Sequence, residues 1–414
     1  MKTGRPRLAF VSPVFLFPND AGGKIRSTNI LRGMKGGAFE IVLLSPATAE
    51  QQARWRAELN GVCDEFIAWQ PTPQRPQWAR ALQLLSELPV NVVADRTPAG
   101  LAAVRELSGR ADIDLIVFDF VHSAVLQPAG TRAPAVCFTH NVEAEIFARH
   151  AQQAPNRLRR WLWTSQHRKM QRFEGQALRR FQRVIAVSER DAQAFRTSYG
   201  VVSAEAIPTG VDLDFFAWQA PAPVDDAHPP TVVFTGSMDW RANIDGVQFF
   251  LDQVWPRVLA ARPEARFVVV GRNPPASLQA AARQLKNVEF TGFVDDVRPY
   301  AQAAHAFVIP LLVGGGTRIK AFEAMAMGCP VLSTTIGMEG LDAVPGTHFV
   351  QRDDAAALAE ALVELLADAA LRASLSRAAR KLVEARFGHR QVAQVFESIC
   401  QRALRASAVV ENRS

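Results

Sequence analysis

Between residues 313 and 339 the chain gathers side chains whose types and spacing suit the binding of an anion: Gly314, Gly315 and Gly316, then Thr317, Arg318, Lys320 and Glu323. The three glycines carry no side chain to bar a ligand from their amides, and Thr317 is a good N-cap for a helix predicted over 318–327. Unpaired N–H groups and the positive end of the helix dipole then point at the same place as the Arg318 and Lys320 cations, which suits a diphosphate. Glu323 lies further in, and a carboxylate accepts two hydroxyl donors at once, as the cis-diol of a ribose presents them. Phosphate and sugar together mean a nucleotide. The same residues also fit a Gly-rich turn carrying a surface ion pair between Lys320 and Glu323. Gly328 stands where a left-handed C-cap is expected and Pro330 forbids continuation, so 331–334 reads as a buried strand.

Such a loop needs a sheet to hold it. At 414 residues the chain is too long for one ordinary domain and suits two, each with its own core. A hydrophobic content of 48% with 21% charged residues is that of a soluble globular protein, which sets aside disorder and fibre. Runs rich in Val, Ile and Phe at 8–12, 40–44, 65–68, 115–119, 135–139 and 183–187 alternate with helical patterns at 24–34, 77–88 and 98–109. Gly22 and Gly23 fall in the polar loop before the first helix. Alternation of this kind predicts an α/β fold with a parallel, doubly wound sheet, whose ligands bind at the carboxyl ends of the strands. Two of those ends are polar: 119–123 follows one strand, and Thr139, His140, Asn141 and Glu143 follow the next. A histidine closing an apolar strand reads either as a satisfied structural group or as a site residue.

Ser188 caps a helix after the 183–187 strand, and 207–216 reads as a short strand broken by a turn. Pro221, Pro223, Pro229 and Pro230 mark 218–230 as a linker between a first domain over 1–217 and a second over 231–388. Composition then resets. Strands are predicted at 231–235, 266–270, 288–291, 306–309, 331–334 and 347–350, and helices at 246–261, 276–284, 297–303 and 355–387. A last helix spans 389–405.

The formal charge of +7 asks for an acidic partner, whether nucleic acid, an anionic membrane or a phosphorylated substrate. No nucleic-acid motif is visible, so nucleic acid is set aside. The stretch 157–183 carries nine Lys/Arg and one acid. On a helical wheel Trp163, Met170, Ala177 and Phe181 share one side, and Arg168, Arg172, Arg179 and Arg183 the other. The cationic side reads as a solvated face or as a docking surface for anionic lipid. Cys63, Cys137, Cys329 and Cys400 are far apart, which argues against disulfides and a zinc site. With no apolar run near ~18 residues and no signal-peptide core, the expected place is the cytoplasm, with peripheral attachment to the inner face of the membrane.

Several pieces together resemble the family 4 glycosyltransferases: Ile-Pro-Thr-Gly-Val-Asp from Ile207, Val-Phe-Thr-Gly-Ser-Met-Asp-Trp from Val233, Gly271-Arg272, Thr-Gly-Phe-Val-Asp-Asp from Thr291, and Phe-Glu-Ala-Met-Ala-Met-Gly-Cys-Pro-Val from Phe322. Gly22-Gly23-Lys24-Ile25-Arg26-Ser27 and His140-Asn141-Val142-Glu143 look like the branch found in exopolysaccharide and capsule gene sets. The resemblance implies a GT-B architecture, two Rossmann-like domains facing each other across a cleft, with the last helix returning to the N-terminal domain. It implies a nucleoside-diphosphate sugar held by the C-terminal domain through Gly236, Ser237, Arg272, Gly314, Gly315, Gly316, Thr317, Arg318, Lys320 and Glu323. A glycan or lipid-linked acceptor would lie on the N-terminal domain near Gly22, Gly23, Lys24, Asn141 and Glu143, with His140 at the reaction centre. The implied chemistry is retaining hexosyl transfer without metal or cofactor, the departing phosphate taking the acceptor's proton. Two features depart from the family pattern. Gly315 stands where a second glutamate usually faces the donor sugar, and the usual Arg and Lys after the first C-domain strand are missing. Arg318 and Lys320 are expected to supply that cationic clamp instead. A sugar-nucleotide epimerase of the same fold, or a non-catalytic sugar-nucleotide-binding or scaffold protein of an envelope complex, are the other readings.

Overall fold

A computed structural model describes residues 4–72, 83–84, 86–152, 154, 156–221, 223–224, 229–313 and 319–411. Most of the helix predicted at 77–88, and the loop at 314–318, lie outside the described residues. The chain divides into two compact units, one formed by 1–210 with 389–414 and the other by 211–388.

The first unit is built on a seven-stranded parallel sheet in the order β3-β2-β1-β4-β5-β6-β7. Its strands are β1 (Arg7–Val11), β2 (Glu40–Pro46), β3 (Glu65–Trp69), β4 (Leu115–Asp119), β5 (Ala135–Phe138), β6 (Arg183–Ala186) and β7 (Ala204–Ala206). Helices cover both faces, so the strands read as unbroken apolar runs, and every residue of β4 is buried. Ala9, Val11, Ile116 and Phe118 fill one face, and Leu8, Phe10, Leu115 and Val117 the other. On that second face the helix His389–Glu411 packs Val392, Phe396, Ile399, Cys400 and Ala403 into the core. Val392, Phe396 and Ile399, each fully buried, contribute about 1.5–3 kcal/mol apiece. That helix approaches Gly22–Met34 closely: a Cβ on Gly33 would stand 2.5 Å from the Ala393 Cβ.

The second unit has a six-stranded parallel sheet, β10-β9-β8-β11-β12-β13, from β8 (Thr231–Thr235), β9 (Arg266–Val270), β10 (Val288–Gly292), β11 (Ala306–Ile309), β12 (Val331–Ser333) and β13 (Val350–Gln351). The segment after Gly210 runs along this unit. Val211 N donates to the Phe387 carbonyl (2.7 Å), Gln219 N to that of Met327 (3.0 Å), and Trp218 Nε1 to Ser376 Oγ (3.0 Å). Gly328 adopts φ +85° at the end of Ile319–Met327, the left-handed cap that glycine supplies without strain.

Five local expectations are corrected. Gly22 and Gly23 form the first turn of the helix Gly22–Met34, because Ala21 takes the extended N-cap conformation ahead of them. The Arg-rich helix stops at Leu178, so Phe181 and Arg183 lie beyond it, although Met170 and Ala177 are buried as the wheel predicts. The edge strand of the first sheet is Ala204–Ala206, paired with β6, and not the proline-bearing run from Ile207. The strand predicted at 347–350 forms only at Val350–Gln351, where it pairs with Leu332 and Ser333. The single helix predicted over 355–387 is two, Ala355–Ala367 and Ala369–Arg386, because the Asp368 side chain accepts from Leu371 N (2.9 Å) and caps a new start. Among the described residues no helix is long and apolar enough to cross a membrane.

Candidate functional site

In each sheet the strand order reverses between two neighbours, β1 and β4 in the first unit and β8 and β11 in the second. The crevice beyond the carboxyl ends at such a reversal is where doubly wound sheets bind ligands. The polar residues of each unit collect there.

In the first unit, Ser12 follows β1, Asp119 ends β4 and His140 follows β5. The helix Gly22–Met34 lowers Arg26 and Ser27 onto them. Asp119 is fully buried and accepts from Ser27 Oγ (2.9 and 3.0 Å), Ser12 Oγ (3.1 Å) and His140 Nε2 (2.7 Å). Arg26 Nη1 meets His140 Nδ1 at 3.0 Å and Nη2 reaches Thr209 Oγ1 at 3.3 Å. A guanidinium has only donors, so Nδ1 must accept and the imidazole proton sits on Nε2, aimed at Asp119. His140 is 3% exposed; burial, aided by the Arg26 charge, holds its pKa below the usual histidine range against the pull of Asp119. It is therefore neutral at pH 7. Burial pushes Arg26 down to about 10, with Asp191 and Asp119 opposing, so the guanidinium keeps its charge.

Phe120 lies over His140 with ring centroids 4.0 Å apart, and its backbone has φ +65°. Gly23 is a glycine because of that ring: a Cβ there would stand 2.4 Å from Phe120 Cζ. Lys24 Nζ donates to the Pro18 carbonyl (3.1 Å) and to Asp20 Oδ1 (3.0 Å). Asn141 Nδ2 reaches Glu143 Oε1 at 3.5 Å, and burial raises the Glu143 pKa. The helix Glu143–Gln152 is capped from outside by Glu174, whose carboxylate accepts from Glu143 N (2.8 Å), Ala144 N (3.2 Å) and Tyr199 Oη (2.8 Å), and which burial pushes up to about 7.

In the second unit the backbones beyond β8 and β9 touch. Gly236 N donates to the Val270 carbonyl (2.9 Å) and Met238 N to that of Arg272 (3.0 Å). A Cβ on Gly271 would stand 1.9 Å from the Gly236 carbonyl oxygen, so only glycine fits. Asp239 gathers Ser237 Oγ (2.8 Å), Arg272 Nε (2.9 Å) and Asn273 Nδ2 (3.0 Å) at the rim. From the helix Ile319–Met327, Lys320 sends Nζ across to Asn243 Oδ1 (3.0 Å) and over the Phe234 ring (4.2 Å), 2.7 Å from where a Gly236 Cβ would be. The carboxylate of Glu323, a turn further along, receives no hydrogen bond among the described residues. Desolvation pushes its pKa up to about 7, with Lys320 pulling the other way.

Gly236, Ser237, Arg272 and Lys320 thus meet at one end of the second sheet, with Glu323 one turn along the helix from Lys320, while Gly314, Gly315, Gly316, Thr317 and Arg318 lie outside the described residues. Arg26, Asn243 and Asp239 were not among the residues predicted from sequence. Arg26 and Asn243 sit near the starts of the helices that follow β1 and β8, a placement that could have found them.

Residues 28–215 match the family model described as Glycosyltransferase Family 4, and residues 229–368 the one described as Glycosyl transferases group 1. Over 238 residues the chain is 28% identical to a GDP-mannose-dependent monoacylated alpha-(1-6)-phosphatidylinositol monomannoside mannosyltransferase of Corynebacterium glutamicum, covering 52% of this chain and 61% of that protein. It is 32% identical over 196 residues to a phosphatidyl-myo-inositol mannosyltransferase of Mycobacterium leprae, covering 45% and 50% respectively. The matches span about half to three-fifths of the length of these curated relatives. The fold is shared with the sucrose-phosphate synthase of Thermosynechococcus elongatus at a TM-score of 0.70 and 18% identity, over 97% of this chain and 100% of that one, and is of the GT-B class.

Proposed function

Since the chain belongs to glycosyltransferase family 4, we propose that it moves a hexose from a nucleoside-diphosphate sugar to a glycan or lipid-linked acceptor, with retention of configuration and without a metal. The observation that carries the donor side is Glu323: a desolvated carboxylate with no hydrogen-bond donor among the described residues, one turn from a lysine whose Nζ lies against Gly236. A ribose cis-diol supplies the two donors this carboxylate lacks. Lys320, with Arg318 and the amides of 314–317, takes the diphosphate, and Gly236, Ser237 and Arg272 line its other side. Charge grows on the leaving phosphate as the sugar becomes cation-like, so groups aimed there stabilise the transition state more than the ground state. His140 serves the transferred sugar, and Gly22, Gly23, Lys24, Asn141 and Glu143 the acceptor. The printed name of the Corynebacterium glutamicum relative makes GDP-mannose the first donor to offer.

The acceptor's lipid side fits a protein resting on an anionic membrane. At the start of the helix Arg157–Leu178, Leu158 is 75% and Trp161 68% exposed among exposed Arg157, Arg159 and Arg160. Pairing apolar and cationic side chains in this way suits an interfacial site. Sedimentation with vesicles containing anionic lipid, in low salt, reads it; no binding there ends the membrane reading.

A thermal-shift panel of GDP-, UDP- and ADP-sugars tests the donor site, because a ligand that binds only the folded protein raises the midpoint. Transfer of label to lipid extract then tests the reaction. Conversion of the donor without acceptor would indicate an epimerase, and binding without conversion a sugar-nucleotide-binding protein. His140→Ala is expected to depress turnover far more than donor affinity.

A further inference from the structure

Beside the closed network around Asp119, the first unit keeps a second group of polar side chains that is not closed. β4 and β5 are neighbours in the sheet, so the segments after them lie side by side. His122 stands in the 3₁₀ turn Val121–Leu126 after β4, and its Nδ1 is hydrogen-bonded to Asp95, the last residue of the helix Val90–Asp95. Both side chains are 16% exposed. Asn141 and Glu143 follow β5, and Glu143 opens the helix Glu143–Gln152, its own amide held by Glu174 (2.8 Å). Glu143 is only 8% exposed, yet the one hydrogen bond its carboxylate receives among the described residues is the long contact from Asn141 Nδ2 to Oε1, at 3.5 Å. Glu143 Oε2 and His122 Nε2 have no partner among the described residues. Neither is among the buried polar atoms left unpaired, so both open to solvent.

The open atoms share a chemistry. A carboxylate only accepts, and an imidazole accepts at Nε2 when neutral and donates there when protonated. A hydroxyl answers both, donating to Glu143 and pairing with His122 in either state. An anion answers neither well. Burial raises the Glu143 pKa, His122 and Asn141 oppose it and Asp95 adds to it, so these groups lie within Coulombic reach of one another, and no lysine or arginine contributes. The one cation that can form there, His122, already faces Asp95.

We propose that Glu143 and His122, with Asn141 beside them and Asp95 orienting His122, form a subsite for a neutral polyol: a sugar or cyclitol ring that brings adjacent hydroxyls and no negative charge. This deepens the acceptor side of the proposed function and rests on it. The acceptor then ends in such a ring, and a uronate or a sugar phosphate is refused at this position. The role is binding alone: the subsite holds hydroxyls and takes no proton from them. Asp119 and Glu143, one on each of two adjacent strand ends, thus do opposite things, the first spending its hydrogen bonds inside the protein and the second keeping them for a ligand.

Two measurements test this. Saturation-transfer NMR on the full chain offers methyl α-mannoside, myo-inositol and methyl glucuronide at about 10 mM, enough to fill a site of millimolar Kd. The two neutral rings should receive saturation and the glucuronide should not. Glu143→Gln removes the charge, so it should weaken the neutral rings about 10- to 100-fold, as for a lost hydrogen bond to a charged group, and admit the glucuronide. Neutral rings that receive no saturation, a glucuronide bound as well by the parent, or a variant with the parent's profile would each overturn the proposal, with no donor needed. His122→Gln keeps the Glu143 charge and should weaken the neutral rings without admitting the glucuronide, which preserves the test if the first variant fails to fold. The second measurement is transfer of label to lipid extract from whichever donor the thermal-shift panel identifies. Glu143→Gln should raise acceptor KM about 10- to 100-fold with donor Kd unchanged and little change in kcat, the mark of binding shared by ground and transition states. A fall in kcat at unchanged KM would overturn the binding role. A parent chain that binds no nucleotide sugar sinks the proposed function, while the NMR result still decides whether the polyol subsite exists.

Discussion

In the first unit the charged groups of the crevice answer one another: Asp119 is met by two serines and a histidine, and the other nitrogen of that histidine by an arginine. In the second unit the Glu323 carboxylate is desolvated and receives no hydrogen bond among the described residues, beside a lysine that reaches away to Asn243. Buried charge that is paired fixes a geometry before any substrate arrives. Desolvated charge that is not paired costs stability until a ligand supplies its donors. On the proposed function the two centres divide the work: one holds a tautomer, and the other awaits the donor's hydroxyls.

That contrast breaks most visibly at Asp119. Replacing it by Ala removes one of the two carboxylates that offset the buried Arg26 charge and leaves Ser12, Ser27 and His140 without their acceptor, and removing one member of such a set costs about 3–5 kcal/mol. Urea denaturation should show the loss as a lower midpoint at unchanged slope. A cost under about 1 kcal/mol would mean that the network is not a closed one. Next in size is Gly271→Ala. Its Cβ collides with backbone, which cannot swing aside as a side-chain tip can, so overpacking costs about 1–3 kcal/mol. Donor affinity should fall with it, as the Gly236 loop is pushed from its place; a folded variant with unchanged donor midpoint shift would remove that loop from the site.

Glu323→Gln sharpens the comparison from the other side. With a pKa of about 7 folded and the ordinary 4.5 unfolded, Glu323 binds a proton on folding between those values. The stability it lends is complete below about 4.5 and is lost as pH rises through about 7. The glutamine variant should therefore be at least as stable as the parent above pH 7, and the difference between the two should vanish toward pH 4.5. Glu174 titrates in the same window in both proteins and cancels from that difference. Donor affinity should fall about 10- to 100-fold in the variant, since hydrogen bonds to a charged group are worth about 1.5–3 kcal/mol. In the parent that affinity should weaken as pH drops below about 7. An affinity indifferent to both changes would take Glu323 out of the donor site.

Much of this was legible in the chain. The strands Thr231–Thr235 and Arg266–Val270 end where their apolar runs end, and Ser188 caps its helix by accepting from Asp191 N (3.1 Å), a short-range rule that needs no tertiary information. The failures have physical causes too. Glycine reads as a breaker, but Gly22 and Gly23 open a helix after the extended Ala21, and the Phe120 ring lies where a Gly23 side chain would stand. The Ala- and Leu-rich propensity on either side of Asp368 hid a break that one aspartate makes by capping. Arg26 sits in a run of polar residues, Arg26 to Asn29, that a helical pattern assigns to solvent and the structure buries. The pairing of His122 with Asp95 joins two elements 27 residues apart, and no periodicity reports it.

The smallest effect belongs to Lys320. Its Nζ donates to Asn243 and lies over the Phe234 ring, so in the absence of ligand the cation is already stabilised from two sides, by a neutral acceptor and an aromatic face. Neither contact cancels its charge, and the same Nζ stands within reach of the Gly236 loop, where a diphosphate would come. Lys320→Ala removes one cation from the proposed diphosphate site, so donor affinity should fall about tenfold, near the low end of the roughly 1.5–3 kcal/mol that a charge-assisted hydrogen bond contributes. Because the lost contribution is Coulombic, the gap between parent and variant should narrow as salt rises from 0.1 to 0.5 M. Asn243→Ala provides the internal control: it removes that one acceptor while keeping the charge, and should leave donor affinity within about threefold of the parent. Equal losses in the two variants would show that the Asn243 contact, and not the cation, shapes the pocket, and the second centre would then resemble the first in relying on internal pairing.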